Sequence, residues 1–119
     1  MFLNLSHTKD PIYSEIRKFV FECYKLTKSF LIDEKYILTQ QIRRAALSVQ
    51  LNYAEGASRK SSAERKRFYE ISRSSVVEID AALDIASDLN YCQKNNILQL
   101  GEAMNECFKQ LSSLIKSLN

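Results

Sequence analysis

Glycine and proline are nearly missing: Gly56, Gly101 and Pro11 are the only ones in 119 residues. Strand-rich folds need turn residues at short intervals, so this scarcity points to long helices joined by few loops. Histidine is as scarce. His7 is alone, in an N-terminal segment, residues 1–10, that is expected to fray. Zinc and two-metal centres need several convergent ligands, such as the Glu-x-x-His pairs of metal-binding bundles. Glu55 and Glu78 are the only acids placed for such a role, and a serine or cysteine nucleophile would lack its histidine base. No glycine-rich phosphate loop occurs. These gaps predict a chain that is not an enzyme and that uses no cofactor or metal.

Cys23, Cys92 and Cys107 form an odd set without C-x-x-C spacing. Unpaired, mostly buried thiols in a reducing cytoplasm are the expectation. No apolar run approaches the roughly 20 residues that span a bilayer. Residues 1–10 lack the basic-then-apolar pattern of an export signal. A cytoplasmic protein with no membrane partner is therefore expected.

What is present is an ordinary globular composition, 45% hydrophobic and 26% charged, which argues against disorder. A chain of this length buries enough surface for one core, so residues 1–119 read as a single domain. The first helix is predicted to begin at Pro11 with Asp10 as its N-cap. Ile12, Ile16, Phe19, Val20, Cys23, Thr27 and Phe30 then share one face. The second is predicted from near Asp33 to Ala54 or Glu55, capped by Gly56, with Leu38, Ile42, Ala45, Val49 and Tyr53 inward. The third opens on the capping-box spacing Ser61-x-x-Glu64, and its predicted core face is Phe68, Ile71, Ser75, Ile79, Ala82, Ala86 and Leu89. After a break at Asn90–Asn96, Ile97, Leu100, Met104, Cys107, Leu111, Leu114 and Leu118 form an a/d seam. The predicted fold is all-α, an antiparallel up-and-down four-helix bundle.

Two features do not fit a bundle alone in water. Ile37, Leu47 and Leu51 lie on the side of the second helix away from its core stripe, and this second stripe is expected to be an oligomer interface; scattered surface leucines are the bland alternative. Charge is also concentrated. Residues 43–73 hold eight basic residues and three acids, a balance of +5, within a chain of net charge +3. Arg65, Lys66 and Arg67 at the start of the third helix, and Asp84 and Asp88 near its end, oppose the helix dipole. Cations there are tolerable with an anion close by: Glu64 and Glu70 locally, or a bound phosphate backbone.

The words Gln41-Ile42-Arg43-Arg44-Ala45-Ala46 and Asn52-Tyr53-Ala54-Glu55-Gly56 resemble the 23S rRNA-intervening-sequence protein family of bacterial four-helix bundles. The resemblance continues through Arg59, Ser61, Glu64 and Phe68 into Ser74-Ser75-Val76-Val77-Glu78, while the outer helices agree in length and pattern only. It implies a four-helix bundle and a homo-pentameric assembly. It also implies kinship to basic accessory proteins of diversity-generating retroelements, which bind nucleic acid and a reverse transcriptase. The sequence departs from the family at Gln50, where proline and a kink are usual, at Tyr53, usually aliphatic, and at Ser74, frequently glycine.

The candidate nucleic-acid contacts are Arg43, Arg44, Arg59, Lys60, Arg65, Lys66, Arg67 and Arg73. Each phosphate neutralised releases condensed cations, which makes such binding salt-dependent. No base-reading element is visible, so RNA or DNA would be held by its backbone without sequence preference. The alternative for these residues is a solvated basic face. A second expectation is a polar network of Arg44, Ser48, Asn52, Glu55, Ser75 and Glu78 that fixes helix register or a subunit contact. The functional expectation is a non-enzymatic oligomeric bundle that binds nucleic acid, with a protein–protein assembly or adaptor module as the alternative.

Overall fold

The computed structural model describes residues 2–119, the side chains of Glu34, Lys35 and Asn96 excepted. Among the described residues there are four α-helices and no strand: α1 (Pro11–Thr27), α2 (Leu38–Ser58), α3 (Ser62–Asp88) and α4 (Leu98–Ser117). Each packs on its chain neighbours, and α1 closes against α4, which completes the antiparallel bundle. No described helix is long and apolar enough to cross a membrane.

The start of α1 follows its sequence signal only in part. Pro11 occupies the first turn and Asp10 has the extended backbone of an N-cap, yet its carboxylate caps no backbone amide. It faces the Tyr53 hydroxyl instead and helps hold that proton. Of the N-terminal segment expected to fray, Ser6–Lys9 form a 3₁₀ turn, while Phe2 and Leu3 are exposed. Ile16, Phe19 and Cys23 are wholly buried, and burial of such side chains is worth roughly 1.5–3 kcal/mol each for the two larger ones. Phe30 is buried but lies past the end of α1, its ring 5.7 Å from Tyr91.

The second helix begins at Leu38, not near Asp33, because Ile32–Tyr36 form a separate 3₁₀ turn. It also runs past Gly56 to Ser58 and is capped at Arg59. Gly56 is therefore not a cap. Its position is set by close approach: a Cβ there would stand 2.8 Å from Cε1 of Tyr69. The five predicted inward residues, Leu38, Ile42, Ala45, Val49 and Tyr53, are all buried, and α2 continues unbroken through Gln50.

In α3, Ser61 accepts a hydrogen bond from the Glu64 amide at 3.1 Å. The reciprocal half of the capping box is replaced, since the Ser61 hydroxyl donates to the Glu64 carboxylate at 3.4 Å. The core face of α3 is turned from the predicted one. Tyr69, Ser72, Ser75, Val76, Ile79, Leu83 and Ala86 are buried, whereas Ile71 is 38% and Leu89 50% exposed. The small Ser72, skipped by a reading of large apolar residues, lets α3 lie close on α2 and donates to the Val49 carbonyl at 2.7 Å. Asn90 then ends the helix at φ 62°. This left-handed residue allows Tyr91 N–H to reach the Ala86 carbonyl and Asn90 N–H to reach that of Ser87, a Schellman closure. The a/d seam of α4 holds at Leu100, Met104, Cys107 and Leu111; Ala103 and Ile115 join it in place of a fully buried Leu114 or Leu118.

Candidate nucleic-acid interface

The eight basic residues do not form one patch. Arg43 turns toward α1, where its Nε donates to the Thr27 hydroxyl at 2.8 Å and its guanidinium lies 5.0 Å from the Tyr24 ring centre. Arg73 turns toward α4, donating to the Ser112 hydroxyl at 3.2 Å with its guanidinium 5.9 Å from the Phe108 ring. Arg44 is exposed. It stands about 22 Å along α2 from Arg59, given 1.5 Å per helical residue.

The other five cluster around the α2–α3 turn. Arg59 pairs with Glu55 at 3.3 Å and with Glu64 at 3.8 Å, and its guanidinium stacks 5.0 Å from the Phe68 ring. Its Nε is buried without an acceptor. The Arg65 Nε donates to the Arg59 carbonyl at 2.6 Å, and the Lys66 ammonium to the Asn119 side chain at 2.6 Å. Arg59 and Arg65 thus knit the turn together, while Lys66 ties the start of α3 to the chain's last residue. Lys60 and Arg67 are the exposed charges of the cluster; among the described residues Arg67 meets the Phe68 ring, 5.9 Å away. Placed beside the C-terminal carbonyls of α2, Lys60 also complements that helix dipole.

The polar network forms at its centre and not at its ends. Asn52 donates to the Ser48 carbonyl at 2.9 Å and to its hydroxyl at 3.0 Å. The Ser75 hydroxyl donates to that of Ser48 at 2.8 Å, which ties α3 to α2. Glu55 is drawn off by Arg59, four residues on, because that arginine lies one turn away on the same face. Arg44 and Glu78 are exposed and make no hydrogen bond or ion pair among the described residues. A buried Arg–Glu–Asn network is therefore not what links the helices here; the Ser75–Ser48 hydroxyl bond does so, with Asn52 bonded to Ser48 within α2.

Beside this turn lies an aromatic cluster that the sequence did not mark. The rings of Tyr53 and Tyr69 stack at 5.8 Å. His7 meets Tyr13 and Tyr53 edge-on at 5.9 Å each. Burial, then the Asp10 carboxylate, raises the Tyr53 hydroxyl pKa well above its ordinary value. Burial also raises that of Tyr69, against a lowering by Arg65. The one usable signal was Tyr53 itself, a large polar-tipped ring at an inward position. The thiols are equally withdrawn. Burial, with Cys107 and Glu22 adding to it, pushes Cys23 up to about 12. Burial, with Glu15 and Glu106, does the same for Cys107. All three cysteines are free and buried. Among the described residues no group of three or more His, Cys, Asp or Glu side chains converges to hold a metal.

Four antiparallel helices around one core, with a basic turn at one end, place the chain among the small all-α bundle proteins. Its sequence matches the 23S rRNA-intervening sequence protein family over residues 9–113, and the chain belongs to that family. The resemblance read in the Gln41–Ala46 and Asn52–Gly56 words is thereby borne out. A crystal structure of a protein with unknown function from the S23 ribosomal protein family, from Bacteroides thetaiotaomicron, has the same fold. It aligns with a TM-score of 0.80 at 21% identity, over 88% of this chain and 98% of that one. No curated protein matches the sequence.

Proposed function

We propose that the chain is a non-enzymatic, self-assembling bundle that binds the phosphate backbone of RNA or DNA without sequence preference. The observation that carries this reading is the α2–α3 turn, where Arg59, Lys60, Arg65, Lys66 and Arg67 gather at one end of the bundle. Arg59 and Arg65 rigidify the turn and Lys66 is held by Asn119, so Lys60 and Arg67 project from a fixed base. That arrangement suits phosphate contacts, which need position and charge and no base-reading element. Buried, neutral thiols and a histidine wedged between tyrosines support a non-enzymatic role in a cytoplasmic setting. Self-assembly through Ile37, Leu47 and Leu51, in the pentamer that the family resemblance implies, would set several such turns on one particle and raise avidity.

The second reading, a protein assembly or adaptor module, is favoured by one observation: Leu51 is 64% and Leu47 43% exposed on α2, and Ile37, just before its first turn, is 70% exposed. Its partner would be a protein such as a reverse transcriptase, with nucleic acid irrelevant. Fluorescence anisotropy with a mixed-sequence DNA duplex between about 50 and 300 mM salt separates the two. Lys60→Gln combined with Arg67→Gln is expected to flatten the slope of log K against log salt by about 2, since each duplex contact contributes roughly 0.9. An unchanged slope removes this turn from the interface. Absence of binding even at 50 mM leaves the adaptor reading.

A further inference from the structure

A groove runs along the outer seam between α3 and α4. Leu83, Ile97, Gly101 and Met104 line its apolar floor, around a cavity of about 420 Å³. A smaller recess of about 230 Å³ continues it between Val77 and Phe108, sharing Asp80 and Met104. Past Phe108 the seam closes, because Arg73 donates there to the Ser112 hydroxyl. Asp80, Asp84 and Asp88 stand along the α3 rim, all exposed, and none makes an ion pair among the described residues. Asp84 and Asp88 lie in the last turns of α3, where the helix dipole disfavours negative charge. Among the described residues Lys94 is the one cation that lines the groove. Gly101 is also unexplained by the chain. It sits within α4, where glycine is a poor helix former, and an added Cβ would meet nothing within 4 Å. Gly56 admits a ring of its own chain; the missing side chain of Gly101 instead leaves depth at the middle of the groove.

We propose that this groove receives a basic amphipathic helix of another protein, with its cations against Asp80, Asp84 and Asp88 and its apolar side against Leu83, Gly101 and Met104. The three acids are four residues apart, about 6 Å along α3, and do not converge to hold a metal ion. Charges strung out in this way suit an extended cation. Lysines or arginines on one face of a helix recur at the same interval. Seating an apolar stripe in a groove is a common way for a helix to be held, and Met104 is a flexible floor residue that adapts to what it meets. A phosphate backbone is repelled by the same acids, which separates this surface from the basic turn. The basic turn of a second copy is a poor occupant, because Arg59, Arg65 and Lys66 are engaged within their own chain and Glu64 stands among them. The groove proposal holds whether or not that turn binds phosphate.

The probe is a fluorescein-labelled peptide of about 18 residues, long enough to form a helix, with lysine at every fourth position beside a stripe of leucine and alanine. Its anisotropy is followed with the full chain at about 50 mM salt, where charge attraction is weakly screened. The wild type is expected to bind it, and to ignore the same peptide with glutamate in place of lysine or serine in place of leucine. Asp80→Asn, Asp84→Asn and Asp88→Asn combined are expected to weaken binding at least about tenfold. The same triple variant should raise the urea midpoint of the free chain, since it removes charges that oppose the helix dipole; lost binding is then not lost folding. Gly101→Leu, which fills the groove, is expected to weaken binding similarly with helix content unchanged by circular dichroism. A wild type that does not bind the lysine peptide overturns the proposal. Binding that survives the triple variant or Gly101→Leu, or that tolerates the serine stripe, also overturns it, because the peptide is then held elsewhere or by charge alone. None of these outcomes bears on the basic turn, whose test is the salt slope with DNA.

Discussion

The inner and outer sides of the α2–α3 pair are built from the same two helices and obey different rules. On the inner side the fit is steric and complete. Gly56 is the only residue that admits the Tyr69 ring, whose Cε1 would stand 2.8 Å from an added Cβ. Tyr53 stacks on Tyr69, its hydroxyl kept protonated by burial and the nearby Asp10 carboxylate, and Ser72 donates to the Val49 carbonyl. On the outer side Leu47 and Leu51 lie open and Arg44 and Glu78 stand unpaired. Packing within the chain accounts for the first side fully and for the second hardly at all. Residues with no intramolecular role are where a partner's influence on sequence would register.

The comparison breaks most visibly in a paired truncation. Ile42 is wholly buried, and Ile42→Ala is expected to cost about 3–4 kcal/mol through lost transfer free energy and an unfilled cavity. Leu51 is 64% exposed, so Leu51→Ala should leave the stability of the dilute, monomeric chain within about 0.5 kcal/mol. Urea denaturation at concentrations where light scattering gives a monomer measures both. Equal costs would mean that Leu51 packs within its own chain, and the outer face would lose its claim to be free.

A second prediction uses alkali. Cys23 and Cys107 sit in the interior with thiol pKa values near 12 against 9.0 for an ordinary thiol. A raised acid pKa means that the folded chain holds its protons longer than the unfolded one. The stability they contribute is therefore complete below about pH 9 and is lost as pH climbs toward 12. By about pH 10.5 the loss is on the order of 2 kcal/mol for each thiol. Replacing both by alanine lowers stability at pH 7 but flattens this alkaline limb. A limb of unchanged slope in that variant would assign it to the tyrosines instead.

How much of this was legible follows from which forces leave a periodic trace. The inward stripe of α2, from Leu38 to Tyr53, was readable because apolar burial repeats every 3.6 residues. The capping serine Ser61 was readable because its hydroxyl acts on a neighbour three residues away. The core face of α3 was misread where a small polar residue replaces a large apolar one: Ser72 is buried alongside the predicted Ser75, whereas Ile71, next to Ser72 in the chain, is exposed. Gly56 was misread as a cap because glycine permits both a left-handed turn and a close approach, and only the neighbouring helix decides which. The basic residues were legible in number and not in direction. Arg43, Arg44 and Arg73 point to three different surfaces, since one residue turns a helix by about 100°, and their partners Thr27 and Ser112 lie in helices whose relation to α2 and α3 no local pattern reveals.

The smallest expected effect lies in two serines a single turn apart. Ser72 is wholly buried and its hydroxyl donates to a main-chain carbonyl of α2. Ser72→Ala removes a satisfied interior hydrogen bond whose net worth is about 1 kcal/mol. Ser75 lies toward the outer edge, and its hydroxyl bonds to Ser48, which keeps Asn52 as a second partner. Ser75→Ala leaves no interior group stranded, and the helix propensity gained on replacing serine by alanine, at most about 0.5 kcal/mol, offsets the bond that is lost. Urea midpoints at constant slope should therefore fall for Ser72→Ala and stay within error for Ser75→Ala. Equal losses would place the edge of the packed interior beyond Ser75, and the boundary between the two sides of the pair would then run through Ile71 and Glu78 rather than through the serine contact.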